Sequence, residues 1–427
     1  MGNWNFERHG LKPRPRLHYA WIVVVVTFST MLLGAGVRYA PGVFIRPLEQ
    51  EFGWDRASIS LSIAIGILIF GISGPLMGTL LDRFGPRLVM IAGTVLTTVG
   101  LAPLMFMEEL WQLYLFWGVM TGLGTGAVGS SMGAIVATNW FKAQRGTVIG
   151  LFSTALSVGQ LLFIPILMGL TVAAGWRTAV IFLASAAGIL ILPAALFMRN
   201  RPSDVGLRPV GDSGAPGVIP DHIEEVERTP MRQAFRMREF WLLAGSFFVC
   251  GYTGSGLLST HMIPHTLEHG FSEATAATTV AVMGVMNIAG TLLSGYFTDR
   301  YDNRRLLAIY YGFRGLALSS LPFIAEAPYL LVFAVVYGLD SAATVPPTAN
   351  LAARIFGKGS LGTVYGWIFF VHMIGASIAT FMAGLLREML GDYQIAFMSA
   401  AFFGILAGVF ATGIRLPERR PEVATVK

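Results

Sequence analysis

Apolar stretches separated by short charged ones fill most of the chain. About 20 apolar residues in a row let an α-helix cross ~30 Å of hydrocarbon. Such stretches fall at 19–43, 56–81, 87–107, 111–138, 146–171 and 176–198, then at 240–264, 273–298, 305–325, 328–353, 361–386 and 393–414. The pattern predicts an all-α polytopic membrane protein of twelve transmembrane helices in two six-helix bundles. Its expected divisions are a cytoplasmic tail over 1–18, a first bundle over 19–198, a linker over 199–239, a second bundle over 240–414 and a tail over 415–427.

The two bundles are related in sequence. GTLLDRFGPR, from Gly78 to Arg87, returns as GYFTDRYDNR from Gly295 to Arg304. Gly78, Asp82, Arg83 and Arg87 answer Gly295, Asp299, Arg300 and Arg304 at one constant offset, and so do Pro47 and Pro264, Glu51 and Glu268, and Gly53 and Gly270. One residue out of that register, GTVIG at 146–150 answers GTVYG at 362–366. A duplicated six-helix unit accounts for these matches and makes the halves pseudo-symmetric.

Composition agrees with this pattern: 54% of residues are hydrophobic, 13% are charged, and mean hydropathy is +0.63. A soluble protein of 427 residues needs more polar surface. The 50 glycines and 21 prolines suit membrane bundles, where small residues let helices approach and neighbours re-satisfy broken backbone bonds. Cys250, the single cysteine, leaves no intramolecular disulfide or thiolate cluster and reads as a small buried hydrophobe.

The net charge of +6 does not point to nucleic acid. Arg46, Arg56, Arg177 and Arg387 fall on one side of the membrane, Arg38 and Arg314 within spans, and the rest of the 30 Lys and Arg on the other. By the positive-inside rule both termini and the linker are expected to be cytoplasmic. The basic tail runs through Tyr19 and Trp21 straight into the first span with no small-residue cleavage site, so that span reads as a retained helix rather than a signal peptide. Within the linker, HIEEVERTPMRQAFRMREFW reads either as a short surface helix with Phe235, Met237 and Phe240 towards lipid or as a plain tether.

Twelve spans in two related halves, a long central loop and G-x-x-x-D-R-x-G-x-R between spans two and three resemble the major facilitator superfamily of transporters. The first copy, with Gly85, fits at every position; the second has Asp302 where that glycine stands. The resemblance implies halves that rock about a central site, with the loop motif helping to hold the outward-open state. A carboxylate there could accept hydrogen bonds from helix N-terminal amides and pair with arginines. The alternative is an ordinary charged loop that fixes topology. With the intact copy in the first half, that copy is expected to contribute more to gating.

More narrowly, FGWDRASIS at 52–60, NWFKAQRGTVIGL at 139–151, STHMIPHTLEHG at 259–270 and VPPTANLAARIFG at 345–357 are similar to the branch of oxalate and formate exchangers and monocarboxylate transporters. That implies small carboxylates as substrates. Members of the branch typically anchor the carboxylate with an arginine in the eighth helix; residues 273–298 contain none, and the polar residue there is Asn287.

An ionisable side chain within a span costs roughly 3 kcal/mol, so each calls for a partner or a purpose. Arg38, beside Tyr39 in span one, is the first candidate to grip a carboxylate, and could otherwise snorkel to phosphate headgroups. Asp340 in span ten is placed either for proton coupling or in a static ion pair with Arg314 of span nine. His261 and His372 could hydrogen-bond a carboxylate or simply pack. Trp117, Tyr252, Tyr337, Tyr365 and Trp367, with Gln160 as a weaker candidate, complete the possible cavity lining. His261, His265 and His269 have metal-like spacing beside Glu268, but Pro264 should break that helix and Gly270 end it, so no metal is expected.

Nucleotide-binding and hydrolase motifs are missing from the sequence, so neither enzymatic activity nor a cofactor is expected. The reading is a secondary active transporter of a small organic anion, with a monocarboxylate as the expected substrate, by proton symport or anion exchange. It is expected to act as a monomer in the inner cell membrane. Its partners would be the anion, protons and lipid. The alternatives are a proton-coupled exporter of hydrophobic or amphipathic compounds and a non-transporting sensor.

Overall fold

The computed structural model describes residues 18–142, 144–211, 229–357 and 360–416, without the side chains of Pro75, Thr79, Asp82, Ser130 and Leu156; Gly78 is likewise outside that description. Among the described residues, twelve helices are long and apolar enough to cross a membrane. They are α1 (Tyr19–Tyr39), α2 (Arg56–Gly74), α3 (Arg83–Phe106), α4 (Leu110–Trp140), α5 (Arg145–Ala174), α6 (Trp176–Phe197), α7 (Arg238–Glu268), α8 (Glu273–Thr298), α9 (Asn303–Phe323), α10 (Ala327–Phe356), α11 (Leu361–Leu390) and α12 (Gln394–Thr412). Eleven agree with the apolar pattern to within a few residues at each end; α2 continues helically past Gly74 and runs into α3, the two separated by a kink at Gly85.

Outward-facing positions remain apolar, as lipid requires: Val25, Ile189, Leu192, Leu292, Leu316 and Phe402 are all exposed. Inside, glycines bring backbones together. A Cβ on Gly251 would lie 1.8 Å from the His372 carbonyl oxygen, and one on Gly256 2.2 Å from that of Ala376, so α7 and α11 touch main chain to main chain. Helices α8 and α10 do the same at Gly290, 1.8 Å from the Leu339 oxygen by the same construction.

The buried core is forked. One apolar cluster runs through both halves, including Ile59, Ile63, Trp117 and Phe163 with Leu257, Met373 and Ala383. Towards the linker it gives way to two clusters, one drawn only from the first half, with Val23, Met132 and Trp140, the other only from the second, with Phe240, Tyr311 and Ile368. On α2 and α11, Gly71 packs against Met373, but a Cβ on Gly74 or Gly366 would meet nothing within 4 Å. The halves are sealed at the end away from the linker and separate towards it.

Two details differ from the sequence expectations. Helix α7 does not break at Pro264 but continues to Glu268, and Gly270 follows with φ of 81°; a membrane helix tolerates proline where neighbours re-satisfy the freed carbonyl. Phe240 is fully buried and Phe235 packs on Phe240, Trp241 and Trp367. These rings seal the base of the second bundle instead of facing lipid, because α10 and α11 offer them an aromatic wall. The upstream part of that segment, through Arg228, lies outside the described residues.

Candidate functional site

Arg38 closes the last turn of α1 at the depth where α2 and α11 part. Its guanidinium lies over the Phe70 ring, 4.5 Å from the centroid, and Nη2 contacts Met373 Sδ at 3.5 Å. Among the described residues no carboxylate pairs with it. Beside it is a cavity of about 30 Å³ whose walls include Ile63, Ile67, Phe70, Trp117 and Thr125, all first-half residues. That is room for a water or two. Trp117 stands in a π-helical turn, Leu113–Thr121, which re-aims side chains within a helix. An uncompensated guanidinium in an apolar wall can take a carboxylate through two parallel hydrogen bonds.

Arg314 and Asp340 make the opposite arrangement. Arg314 Nε donates to Asp340 Oδ2 at 2.6 Å, and Nη2 donates to the carbonyl oxygens of Asp340 at 2.8 Å and Ser341 at 2.9 Å. Both side chains are almost fully buried, at 0% and 3% exposure. Tyr337 sits beside the pair, with its ring 5.9 Å from the Arg314 guanidinium carbon. Among the described residues Asp340 Oδ1 and the Tyr337 hydroxyl have no hydrogen-bond partner. Of the two roles the sequence allowed Asp340, the ion pair is the one formed here.

The remaining candidates do not converge on Arg38. Tyr252 bonds Ser399 through its hydroxyl at 3.2 Å and packs on Phe403, so it belongs to the α7–α12 contact. His372 Nδ1 is 3.0 Å from the Phe247 carbonyl oxygen, which can only accept; Nδ1 therefore carries the proton and Nε2 accepts from Ser255 Oγ at 3.1 Å. Asn287 Oδ1 accepts from Thr291 Oγ1 at 3.2 Å within α8. Tyr39 is half-buried against the shared core. Tyr365 packs on Phe247 and Trp367 on Phe370, and Gln160 is buried in α5.

His261 belongs to a network the sequence did not reveal, at the sealed end. Arg56 pairs with Glu49 of its own half and with Glu268 of the other, and its Nη1 donates to Tyr393 Oη at 2.8 Å. Glu268 also accepts from Arg387 Nε at 2.9 Å. His261 Nε2 donates to the Thr380 carbonyl oxygen at 2.8 Å, leaving Nδ1 to accept from the Tyr393 hydroxyl at 3.0 Å. Arg56 is 4% exposed, so this is a largely desolvated bridge between bundles. In the sequence His261 stood out as a polar residue within a span, and the repeat matched Glu51 with Glu268, but neither signal pointed to Arg56. Glu51 serves its own half, bonding Trp176 Nε1 at 2.6 Å and pairing with Arg177.

The described arginines of the loop motif make their contacts within each half in this state. Arg87 Nη2 donates to the Ala195 carbonyl oxygen at 2.8 Å, at the end of α6; Arg304 Nη1 reaches that of Ile414 at 3.3 Å, just past α12. Arg83 and Arg300 lie over Phe84 and Tyr296, and Asp299 is exposed. Gly295 meets nothing within 4 Å of a built Cβ. Asp82 and Gly78 fall outside the described positions.

Twelve membrane-length helices in two related bundles, sealed at one end and holding, where they part, a cation that no carboxylate pairs with among the described residues, define a polytopic transport protein. The family model of the Major Facilitator Superfamily matches residues 26–380 and 248–427, and the chain belongs to that superfamily. It is 28% identical to mouse monocarboxylate transporter 11 over 92% of this chain and 86% of that one. With bovine monocarboxylate transporter 13 the identity is 26%, over 91% and 88%, and with the uncharacterised MFS-type transporter YcxA of Bacillus subtilis it is 24%, over 90% and 92%. Among solved structures, a bacterial homologue of the lysosomal transporter Spinster superposes with a TM-score of 0.74 at 16% identity, covering 95% of this chain and 97% of that one. A D-xylose-proton symporter does so with 0.73 at 14%, covering 92% and 97%.

Proposed function

We propose that the protein is a secondary active transporter of a small monocarboxylate, working by alternating access through proton symport or anion exchange, with Arg38 as the carboxylate anchor. The observation that carries this reading is Arg38 itself: an arginine within a span, at the point where the halves part, contacted by a ring face and a thioether instead of a carboxylate. Leaving such a charge without a counterion is costly unless an anion is its partner for part of the cycle. The similarity to monocarboxylate transporters supports the substrate class, and Arg38 on α1 supplies the cation that α8 lacks.

The linker end is taken as cytoplasmic from the Lys and Arg distribution, which makes the described state inward-open. The cell membrane is its proposed location and a monomer its proposed form. Asp340, paired with Arg314, holds the second bundle together in this state and would enter proton coupling only in a state that opens the pair.

A thermal-shift series of short-chain monocarboxylates, dicarboxylates and uncharged amphiphiles against the purified protein tests the substrate class. Monocarboxylates should raise Tm in the parent and not in Arg38→Ala. A shift by amphiphiles alone, equal in both proteins, would favour the exporter reading.

A further inference from the structure

The two copies of the loop motif differ at Gly85 and Asp302, and each copy caps its next helix by its own route. In the second half the Asp302 carboxylate accepts from the Arg304 backbone N–H at 2.9 Å and caps α9 in cis. Gly85 has no side chain to do this for α3. The Arg87 N–H is nevertheless satisfied, by Oδ1 of Asn200 at 2.9 Å, from the chain just beyond α6. Gly85 admits that side chain: its φ is 78°, and a Cβ there would lie 2.6 Å from Asn200 Cγ, Nδ2 and Oδ1. Asn200 is fixed in turn, its N–H donating to Asp204 Oδ2 at 3.0 Å and its carbonyl oxygen accepting from Asn139 Nδ2 of α4 at 3.1 Å.

We infer that Asn200 is a positioning residue of the transport cycle, supplying in trans the helix cap that Asp302 supplies in cis. It thereby fastens the α2–α3 turn, the end of α4 and the start of the linker into one rim of the first bundle at the open end. The inference rests on the alternating-access reading above. A rim tied at these points moves as a unit when the halves rock; without the Asn200 side chain the turn keeps only the Arg87 side-chain bond to Ala195 at the end of α6 and loses its tie to α4 and the linker. Gly85 is then the residue that makes space for the clip.

The test uses the full chain reconstituted in vesicles, with Asn200→Ala, Asn200→Asp, Gly85→Asp and the Asn200→Ala/Gly85→Asp double variant. The substrate-independent readout is the alkylation rate of Gly366→Cys, placed in the open cleft; the native Cys250 is buried. Asn200→Ala should slow alkylation about fivefold, the size of one lost cap, while Asn200→Asp, which keeps the acceptor, stays near the parent rate. Gly85→Asp should be harmful in both backgrounds, because a φ of 78° strains any side chain there, but less so in the Asn200→Ala background, where the collision with Asn200 is absent. Maximal monocarboxylate uptake should follow the same order with KM unchanged. Parent-like alkylation in Asn200→Ala, even with a lower Tm, would make Asn200 a structural cap only and overturn the inference. Equal harm from Gly85→Asp in both backgrounds would also overturn it. Absence of uptake in the parent, with the alkylation order intact, would instead count against the carboxylate-transport reading and leave the clip standing.

Discussion

Arg38 and Arg314 are both guanidiniums within spans, and their neighbours give them different work. Arg314 is bonded to Asp340 and to two carbonyl oxygens, and removing one partner of a buried pair costs about 3–5 kcal/mol. Asp340→Asn should therefore lower stability by that order, read as a fall in Tm without substrate, whereas Arg38→Ala should leave Tm nearly unchanged. Asp302 lies outside the spans, and its hydrogen bond from Arg304 holds its carboxyl down at about 2, from an ordinary 3.8. A depressed carboxylate stabilises the fold fully above its ordinary value and loses that contribution as pH falls towards 2. Asp302→Asn should abolish that part of the acid dependence of unfolding, measured between pH 4 and 2; exposure of the pair keeps the effect small.

At the scale of elements, twelve spans were legible because membrane crossing is a local demand on length and apolarity. Pro264 shows the limit of local rules, since the packing of α7 against α11 and α12 decides whether a proline ends a helix. The sites were less legible. Arg38 and the Arg314–Asp340 pair could be picked out because charge within a span is rare. Arg56 with Glu268, and Asn200 with Arg87, are far apart in sequence and depend on which helix faces meet. The repeat carried a partial signal for both, in Glu51 matching Glu268 and in Gly85 replaced by Asp302. The intact first copy of the motif is proposed as the stronger gate element, so Asp82→Asn should reduce uptake several-fold more than Asp299→Asn; equal losses in vesicle uptake would refute that asymmetry.

For the whole molecule, a core shared at one end and divided at the other fits the two-sided gate proposed above. The sealed end depends on the bridge of Arg56 to Glu268 and Tyr393. Glu268→Gln should weaken that seal and raise alkylation of Ser60→Cys, a position fully buried in this state, several-fold. The account as a whole turns on one cation holding one carboxylate while the seal moves from end to end. Its most direct test is uptake of a radiolabelled monocarboxylate such as lactate into proteoliposomes, with the parent, Arg38→Lys and Arg38→Ala compared with and without a pH gradient. The account predicts saturable uptake by the parent, a loss of tenfold or more in Arg38→Ala on the scale of one charge-assisted bond, and partial activity in Arg38→Lys. Uptake by Arg38→Ala at the parent rate would contradict it.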